Sequence, residues 1–269
     1  MKKVILSIIW VLVITGCSKP DFENNFEVAQ KASKEGNPKA QFYLADMYLS
    51  GNNISRDKEQ ALYWFTQSAE QGDSSAQLSL AEMYWSSRFK NVYPKVLPLK
   101  ADAIFVKKAL HWFIKSAEQG NAKAKHQLAG IYSQGVDDII PEDDVKALKF
   151  GTEAAVLGYD RSQRVLASRY QEGVLVSKDY IKAVYWYTKA AEQGNRRALS
   201  QLVRMYYKGD GVKMDHEKAY RWAYLTLLIE DNEKVKKELD ELFQNLPNNI
   251  IIKARKKASE LYEKIMDRA

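Results

Sequence analysis

A set of small and apolar residues recurs along the chain at an interval of about 36 residues. Three copies end in nearly the same string, SAEQG at 68–72 and 116–120 and AAEQG at 190–194, and glycines also stand at 36 and 158. Successive glycines are 36, 48, 38 and 36 residues apart. A fixed period of this length is typical of proteins built from stacked repeats. The pattern predicts five repeats over residues 37–230, with the boundaries 37–72, 73–120, 121–158, 159–194 and 195–230.

Each repeat begins with apolar positions at helical spacing. A small residue stands four positions after each glycine, a leucine four positions later, and a tyrosine four positions after that. In the first repeat these residues are Ala40, Leu44 and Tyr48. A spacing of four places side chains on one face of an α-helix. We therefore expect every repeat to open with a helix, which we call helix A.

A second set of columns predicts a second helix in each repeat, helix B. An alanine is followed three residues later by tryptophan, or by Phe150 in the third repeat. The repeat glycine then suits the left-handed conformation that often follows a helix. The second repeat has Phe105 where an N-cap residue is expected. The other four repeats have an aspartate there, which is a good N-cap: Asp57, Asp143, Asp179 and Asp215.

Neither helix of a repeat can bury its apolar face alone, so neighbouring repeats must stack. The leucine, tyrosine and tryptophan columns are therefore interpreted as core positions. Residues 17–36 are expected to hold a leading half-helix, and residues 231–269 two capping helices. Ala254 and Ala258 contribute to the apolar face of the second capping helix. The predicted fold class is all-α, an α-solenoid of about five helix–turn–helix repeats with terminal caps.

The fifth repeat identifies a family. The string GDGVKMDHEKA at 209–219, followed by Trp222, resembles the Sel1-like repeat, a relative of the tetratricopeptide repeat. The resemblance implies paired antiparallel helices in a right-handed superhelix. It also implies work as an adaptor or scaffold for other proteins. Secreted Sel1-like proteins with a disulfide in every repeat are not matched, because the chain has one cysteine.

The first residues have the features of an export signal. Lys2 and Lys3 precede an apolar run over 4–14, which is about half of the roughly 20 residues that a membrane span needs. The run ends in Thr15-Gly16-Cys17, which resembles the lipobox of bacterial lipoproteins. The resemblance implies that residues 1–16 are removed and that Cys17 is the site of lipid attachment. Ser18 then resembles the pattern of outer-membrane lipoproteins, so we expect an exported chain anchored there and facing the periplasm.

Two surfaces stand out as candidate partner-binding regions. The first is an insertion in the second repeat, residues 86–100, whose named candidates are Arg88, Phe89, Lys90 and Tyr93. Insertions in repeat proteins often lie on the binding face, and basic and aromatic residues are common hot spots. The alternative is that the insertion folds back onto the helices of its own repeat.

The second surface consists of basic residues on helices A of the third to fifth repeats. Its candidates are Lys125, Arg161, Arg164, Arg169, Arg197 and Arg204. Arg169 is unusual because its column otherwise holds methionine or isoleucine. These residues predict a dock for an acidic protein surface. The alternative is a solvated basic face balanced by the acidic residues between 137 and 144.

The composition gives little support to an enzyme. The single cysteine excludes a disulfide framework. With only three histidines besides, the sequence favours neither a metal site nor a cofactor. Neither a G-x-S-x-G elbow nor a glycine-rich phosphate loop is present in the sequence, and two S-x-x-K matches are as many as chance provides. The net charge of +7 would permit phosphate contacts, but the export signal argues against nucleic acid.

The leading hypothesis is a non-catalytic envelope adaptor or scaffold that binds a protein partner through its solenoid. Some Sel1-like lipoproteins neutralise secreted antibacterial phospholipase effectors, so an immunity protein is the alternative that the resemblance implies. An envelope hydrolase remains the alternative of a different class.

Overall fold

The computed structural model describes residue 22 and residues 25–52, 54–86, 99–136 and 138–267. Over these ranges the chain forms thirteen α-helices, and its only β interactions are isolated bridges around Val136. The predicted all-α solenoid class is confirmed. Within the same ranges, none of the helices combines the length and the apolar character that crossing a membrane requires.

The helices follow the predicted order of A and B positions. The leading helix is α1 (Phe26–Lys34). The A helices are α2 (Pro38–Ser50), α4 (Ser74–Trp85), α6 (Ala122–Gln134), α8 (Asp160–Glu172) and α10 (Arg196–Lys208). The B helices are α3 (Lys58–Glu70), α5 (Leu99–Glu118), α7 (Asp144–Val156), α9 (Tyr180–Ala191) and α11 (His216–Glu230). The two closing helices are α12 (Glu233–Phe243) and α13 (Asn248–Met266).

The chain divides into two compact units, Met1–Ala76 and Gln77–Ala269, and the division falls within α4. In the N-terminal unit, α2 packs against both α1 and α3. Its core contains Leu44 and Met47, with Trp64 packed against them.

The C-terminal unit forms a continuous stack, because α7 packs on both α6 and α8, and α9 on both α8 and α10. Leu128, Leu166 and Leu202 of the predicted leucine column are buried between helices. Alanines of both helices are buried beside them, and their small side chains let the helix backbones approach closely.

The aromatic core differs in one respect from the prediction. The tyrosine and tryptophan columns pack at the edges of the core clusters and are mostly half-buried. In three repeats the fully buried ring belongs to the residue directly after the tryptophan, namely Phe65, Phe113 and Tyr187. We call this position the ring column. It holds Gly151 in the third repeat and Ala223 in the fifth.

The predicted helix boundaries are confirmed at the capped ends. Asp143 Oδ1 accepts a hydrogen bond from the backbone N–H of Lys146 at 2.9 Å, and the other three predicted aspartates cap their helices in the same way. This backbone hydrogen bond is the main reason that the pKa of Asp143 lies below its usual value. The five repeat glycines have φ between 82° and 95°. In the second repeat, α5 begins directly after Pro98, so Phe105 lies inside the helix.

Glutamine pairs join the two helices of three repeats. The side-chain amide of Gln71 donates to Gln41 Oε1 at 2.7 Å, and Gln119 donates to Gln77 at 2.8 Å. Gln193 donates to Gln163 at 2.8 Å. The glutamine of the SAEQG string thus holds the end of helix B against helix A of its own repeat.

The closing helices cover the end of the stack. α13 packs on α11 through Ala254 and Ala258, which are both fully buried. Two basic residues of α13 form ion pairs with α11. Lys253 and Lys257 bind Glu217 at 3.1 and 2.9 Å. Hydrogen bonds from these two lysines, Lys257 first, lower the pKa of Glu217.

Candidate functional site

Several predicted site residues lie outside the described part of the chain. These are the lipid-attachment residue Cys17 and the insertion residues Arg88, Phe89, Lys90 and Tyr93. Their roles stay predictions from the sequence.

Five of the predicted basic residues lie on α8 and α10 of the C-terminal unit, and we call them the arginine surface: Arg161, Arg164, Arg169, Arg197 and Arg204. Arg161, Arg197 and Arg204 are exposed, and the other two are half-buried. Among the described residues, none of the five forms an ion pair or a side-chain hydrogen bond. By contrast, Arg196 beside them is 3.6 Å from Glu230.

Three acidic residues near the arginine surface interact with side chains other than the five arginines. Asp160 Oδ2 accepts a hydrogen bond from Asn195 Nδ2 at 2.7 Å. Glu172 Oε1 accepts from the hydroxyl of Ser168 at 2.8 Å. Asp143 is paired with Lys146 at 2.9 Å. None of these three acids forms an ion pair with the arginine surface in the described part of the chain, and the charge of Asp144 acts on Arg169 without an ion pair there.

The positive charge of this surface affects the pKa values of two neighbouring side chains. His126 Nδ1 lies 2.8 Å from Ser162 Oγ, and burial lowers the pKa of the imidazole. The charges of Arg161 and Arg164 lower that pKa further, against a smaller opposing effect of Asp160. Burial raises the pKa of the Tyr187 hydroxyl, while the nearby charges of Arg164 and Arg204 act in the opposite direction. The arginine charges therefore act on one side chain of α6 and on one of α9.

Lys125, the sixth predicted residue, has a structural contact instead. Its ammonium group forms an ion pair with the carboxylate of Glu153 on α7, and its side chain is only 15% exposed. Lys125 and Leu157 replace the glutamine pair that joins helices A and B in other repeats. The ion pair thus performs the same cross-linking in the third repeat.

A small cleft that was not predicted from the sequence lies beside the arginine surface. Its volume is about 130 Å³, and it lies among α6, α7 and α8. The residues that characterise it are His126, Gly130, Ser133, Gly151, Ser162 and Arg169. Gly130 and Ser133 are exposed at its rim. In the described part of the chain, the acidic, histidine and cysteine side chains form no group of three or more that could hold a metal ion.

Comparison with known families identifies the repeats. The Sel1 repeat model matches residues 38–73, 106–121, 122–159, 160–195 and 197–225, which together are more than half of the chain. The chain belongs to the Sel1 repeat family. Sel1 repeats generally mediate protein–protein interaction, so the family favours a binding surface over a catalytic centre.

Several solved structures are similar to this chain. A Sel1 repeat protein from Oxalobacter formigenes is 29% identical, with a TM-score of 0.66, over 78% of this chain and 80% of that protein. The protective antigen c5321 of uropathogenic Escherichia coli, with an SLR fold, is 26% identical over 91% of this chain and 57% of that protein, with a TM-score of 0.48. The immunity protein Pa5087 of Pseudomonas aeruginosa is 20% identical over 86% and 82%, with a TM-score of 0.49. A comparison with curated protein sequences finds no match.

The alignment of equivalent positions in the Sel1 repeats explains why the cleft exists. Gly151 occupies the ring column, which holds buried aromatic rings at Phe65, Phe113 and Tyr187. The third Sel1 repeat therefore lacks a ring that three other repeats possess. The sequence shows a glycine at this position, but the cleft can be predicted from it only when the ring column is known to be buried.

Proposed function

We propose that this Sel1 repeat protein is a non-catalytic, lipid-anchored envelope protein that binds an acidic surface of another protein through the arginine surface. The observation that supports the proposal is the set of five arginines on two neighbouring A helices, without ion pairs in the described part of the chain. The family favours an interaction role, and the charge indicates the chemistry of the partner.

Physical reasons favour a protein partner for such a surface. Guanidinium groups bind carboxylates with two parallel hydrogen bonds, and arginine is enriched among interface hot spots. Complementary charge also accelerates encounter and excludes partners of like charge. Arg164 and Arg169 are half-buried, so a carboxylate that reaches them is less screened than one at an exposed lysine.

The location of the protein is proposed from the sequence alone. The basic start, the apolar run and the lipobox-like Thr15-Gly16-Cys17 support export and lipid attachment, with Ser18 favouring the outer membrane. A Cys17→Ala chain should lose its association with membranes after fractionation. A substituted chain that still sediments with the outer membrane would contradict the anchor.

The partner is to be captured from crosslinked envelopes of the native host and identified by mass spectrometry. Its affinity is then measured for the wild type and for Arg164→Glu/Arg204→Glu. The matched control is Lys256→Glu/Lys264→Glu, which changes the net charge equally at two exposed residues of α13. We expect at least about a tenfold loss for the first variant and little change for the control.

Two results would overturn the proposed surface. Equal weakening by both variants would indicate a net-charge effect, and unchanged affinity in both would indicate that binding lies elsewhere. The identity of the partner separates the remaining alternatives. A secreted phospholipase effector would indicate an immunity protein, and a component of an envelope machine would indicate an adaptor. Turnover of an envelope substrate by the purified chain would indicate a hydrolase.

A further inference from the structure

The cleft of the third Sel1 repeat is the place that an aromatic ring occupies in the fourth. Arg164, Ser168 and Gln171 lie around the hydroxyl end of Tyr187, whose hydroxyl donates to Gln171 Oε1 at 2.8 Å. Their equivalents one repeat earlier are His126, Gly130 and Ser133. All three line the cleft. The cleft therefore corresponds by register to the site of the Tyr187 ring.

The other rings of this column contact the same positions of helix A. The ring of Phe65 lies 5.8 Å from that of Phe42, which stands in the column of His126. The ring of Phe113 lies 6.3 Å from that of Trp85, which stands in the column of Ser133. In each repeat that has an aromatic residue in the ring column, its ring thus fills the equivalent space beside helix A.

The fifth repeat also lacks the ring, and there another part of the chain supplies one. Its ring column holds Ala223, which packs against a cluster that includes Phe243 at the end of α12. The Phe243 ring is 4% exposed and lies 5.7 Å from that of Tyr207, in the column of Ser133. A ring from outside the helix pair therefore occupies the neighbourhood that Phe113 and Tyr187 occupy in their own repeats.

The cleft combines the missing ring of the third repeat with an added charge from helix A of the fourth repeat. The column of Arg169 elsewhere holds Met47, Met83, Ile131 and Met205, which are all buried. Arg169 lines the cleft and has no ion pair among the described residues. Burial lowers the pKa of Arg169, and the charge of Asp144 only partly opposes this. A bound anion would stabilise the guanidinium in these surroundings.

We propose that the cleft binds an aromatic side chain of the partner protein, with a carboxylate next to the ring paired to Arg169. This inference rests on the proposed function for the existence of a protein partner. It adds a specific anchor: the partner's ring takes the place that Phe243 takes in the fifth repeat, and the guanidinium selects a ring that is close to a negative charge.

The test uses a small probe that carries both features. The full chain, labelled with ¹⁵N-arginine and held in detergent, is titrated with 3-phenylpropionate, with 3-phenylpropionamide and with propionate. The Nε–Hε signal of Arg169 is followed, and its loss in Arg169→Met assigns it. We expect a saturable shift with 3-phenylpropionate at a dissociation constant of the order of millimolar, as for other small ligands. The amide should bind about tenfold more weakly, and propionate should not saturate.

Two variants locate the probe. Gly151→Phe restores the ring column, so it should abolish the saturable shift while the Arg169 signal persists. Gly151→Ala is the matched control, because its added Cβ would lie at an ordinary 3.6 Å from Ala129 Cβ, and it should still bind. Thermal unfolding of both variants checks that they are folded. If Gly151→Phe does not fold, Gly151→Leu takes its place with the same expectation.

Three results would overturn the anchor: no saturable shift with 3-phenylpropionate, equal binding of propionate, or unchanged binding in the ring-restoring variant. The probe needs no partner protein, so its result is independent of the capture experiment. Probe binding together with a partner that is insensitive to Arg164→Glu/Arg204→Glu would retain the cleft and reject the arginine surface.

Discussion

Burial, and then the charges of two arginines of the arginine surface, lower the pKa of His126. Its imidazole is half-buried, its Nδ1 is 2.8 Å from Ser162 Oγ, and its ring lies 4.9 Å from that of Tyr159. A proton on this ring would lie in a desolvated position near Arg161 and Arg164. The folded state therefore favours the neutral form of His126.

This preference predicts a dependence of stability on pH. The pKa of His126 is lowered from about 6.5 in the folded chain, so below that pH the unfolded state takes up the proton first. The contribution of neutral His126 is present above about pH 6.5 and is lost as the pH falls through the folded pKa. In urea denaturation from about pH 7.5 to about pH 5, the wild type should lose more stability than His126→Gln. Parallel curves for the two proteins would contradict this expectation.

Two glycines with positive φ differ in the space that an added Cβ would have, so alanine substitutions at the two positions should differ in their cost to stability. Gly158 has φ +95° and open space around an added Cβ, whereas at Gly211, with φ +73°, that Cβ would lie 2.1 Å from Tyr180 Cγ. Gly158→Ala should cost about 1–2 kcal/mol from the left-handed backbone alone. Gly211→Ala should cost about 1–3 kcal/mol more, because Tyr180 must move. Chemical denaturation of both variants measures the difference, and equal losses would show that Tyr180 yields without cost.

Single residues could be predicted where the reason is local. The four aspartate caps and the repeat glycines followed from sequence because each acts within a few residues of its own position. The ion pair of Lys125 with Glu153 and the Gln41–Gln71 hydrogen bond join residues about 30 apart on different helices. Their columns are visible in the sequence, but their partners depend on how the helices pack.

At the scale of the helix, burial differs between adjacent apolar positions. Trp64 and Phe65 are both aromatic, and the tryptophan is the one whose spacing predicts a core position. Phe65 is fully buried and Trp64 is half-buried. Successive helical positions are about 100° apart, so two adjacent rings cannot both face the same neighbour. The periodic pattern defines the apolar stripe, and the packing of the neighbouring helix decides which edge of the stripe is covered.

The leucine column predicts a large loss of stability when its side chain is shortened. Leu128 is fully buried in the core that joins α5 and α6. Leu128→Ala should cost about 2–5 kcal/mol, because it removes apolar contact and leaves a cavity. Ile181→Ala is the control, since Ile181 is 79% exposed, and it should change stability by no more than about 0.5 kcal/mol. Similar denaturation midpoints for the two variants would contradict the core assignment.

For the whole molecule, the last two helices are expected to act as a terminal cap. α12 and α13 cover α11, where Tyr220 and Leu225 are buried. A chain that ends at Asp231 would expose these side chains, and terminal repeats without a polar cap lose solubility. We expect this truncated chain to self-associate in size-exclusion chromatography with light scattering.

The control for the truncation removes charge and keeps the helices. Lys253→Gln/Lys257→Gln deletes the ion pairs with Glu217, and exposed pairs contribute at most about 1 kcal/mol. This variant should keep the elution volume of the wild type. Self-association of this variant as well would assign the effect to charge and not to the apolar cover.

The fold class could be predicted because the same helix pair is specified five times, so that one irregular repeat does not obscure the pattern. The candidate site could be predicted only in part. The sequence indicated where basic residues accumulate. The structure separates Lys125, which is paired with Glu153, from Arg164 and Arg204, which have no ion pair among the described residues. The cleft could not be predicted from Gly151 alone, because the prediction also requires knowing which column of the repeat is buried.

The presence of Phe150 in the tryptophan column has a consequence for fluorescence. Tryptophan occupies that column in the other four repeats, at Trp64, Trp112, Trp186 and Trp222, so the third repeat contributes no indole emission. The native fluorescence spectrum therefore reports on every repeat except the one that contains the cleft. Phe150 stacks on Tyr132 with ring centroids 5.9 Å apart, next in sequence to Gly151. Phe150→Trp would place a fluorophore there, and subtraction of the wild-type spectrum would isolate the emission of the third repeat.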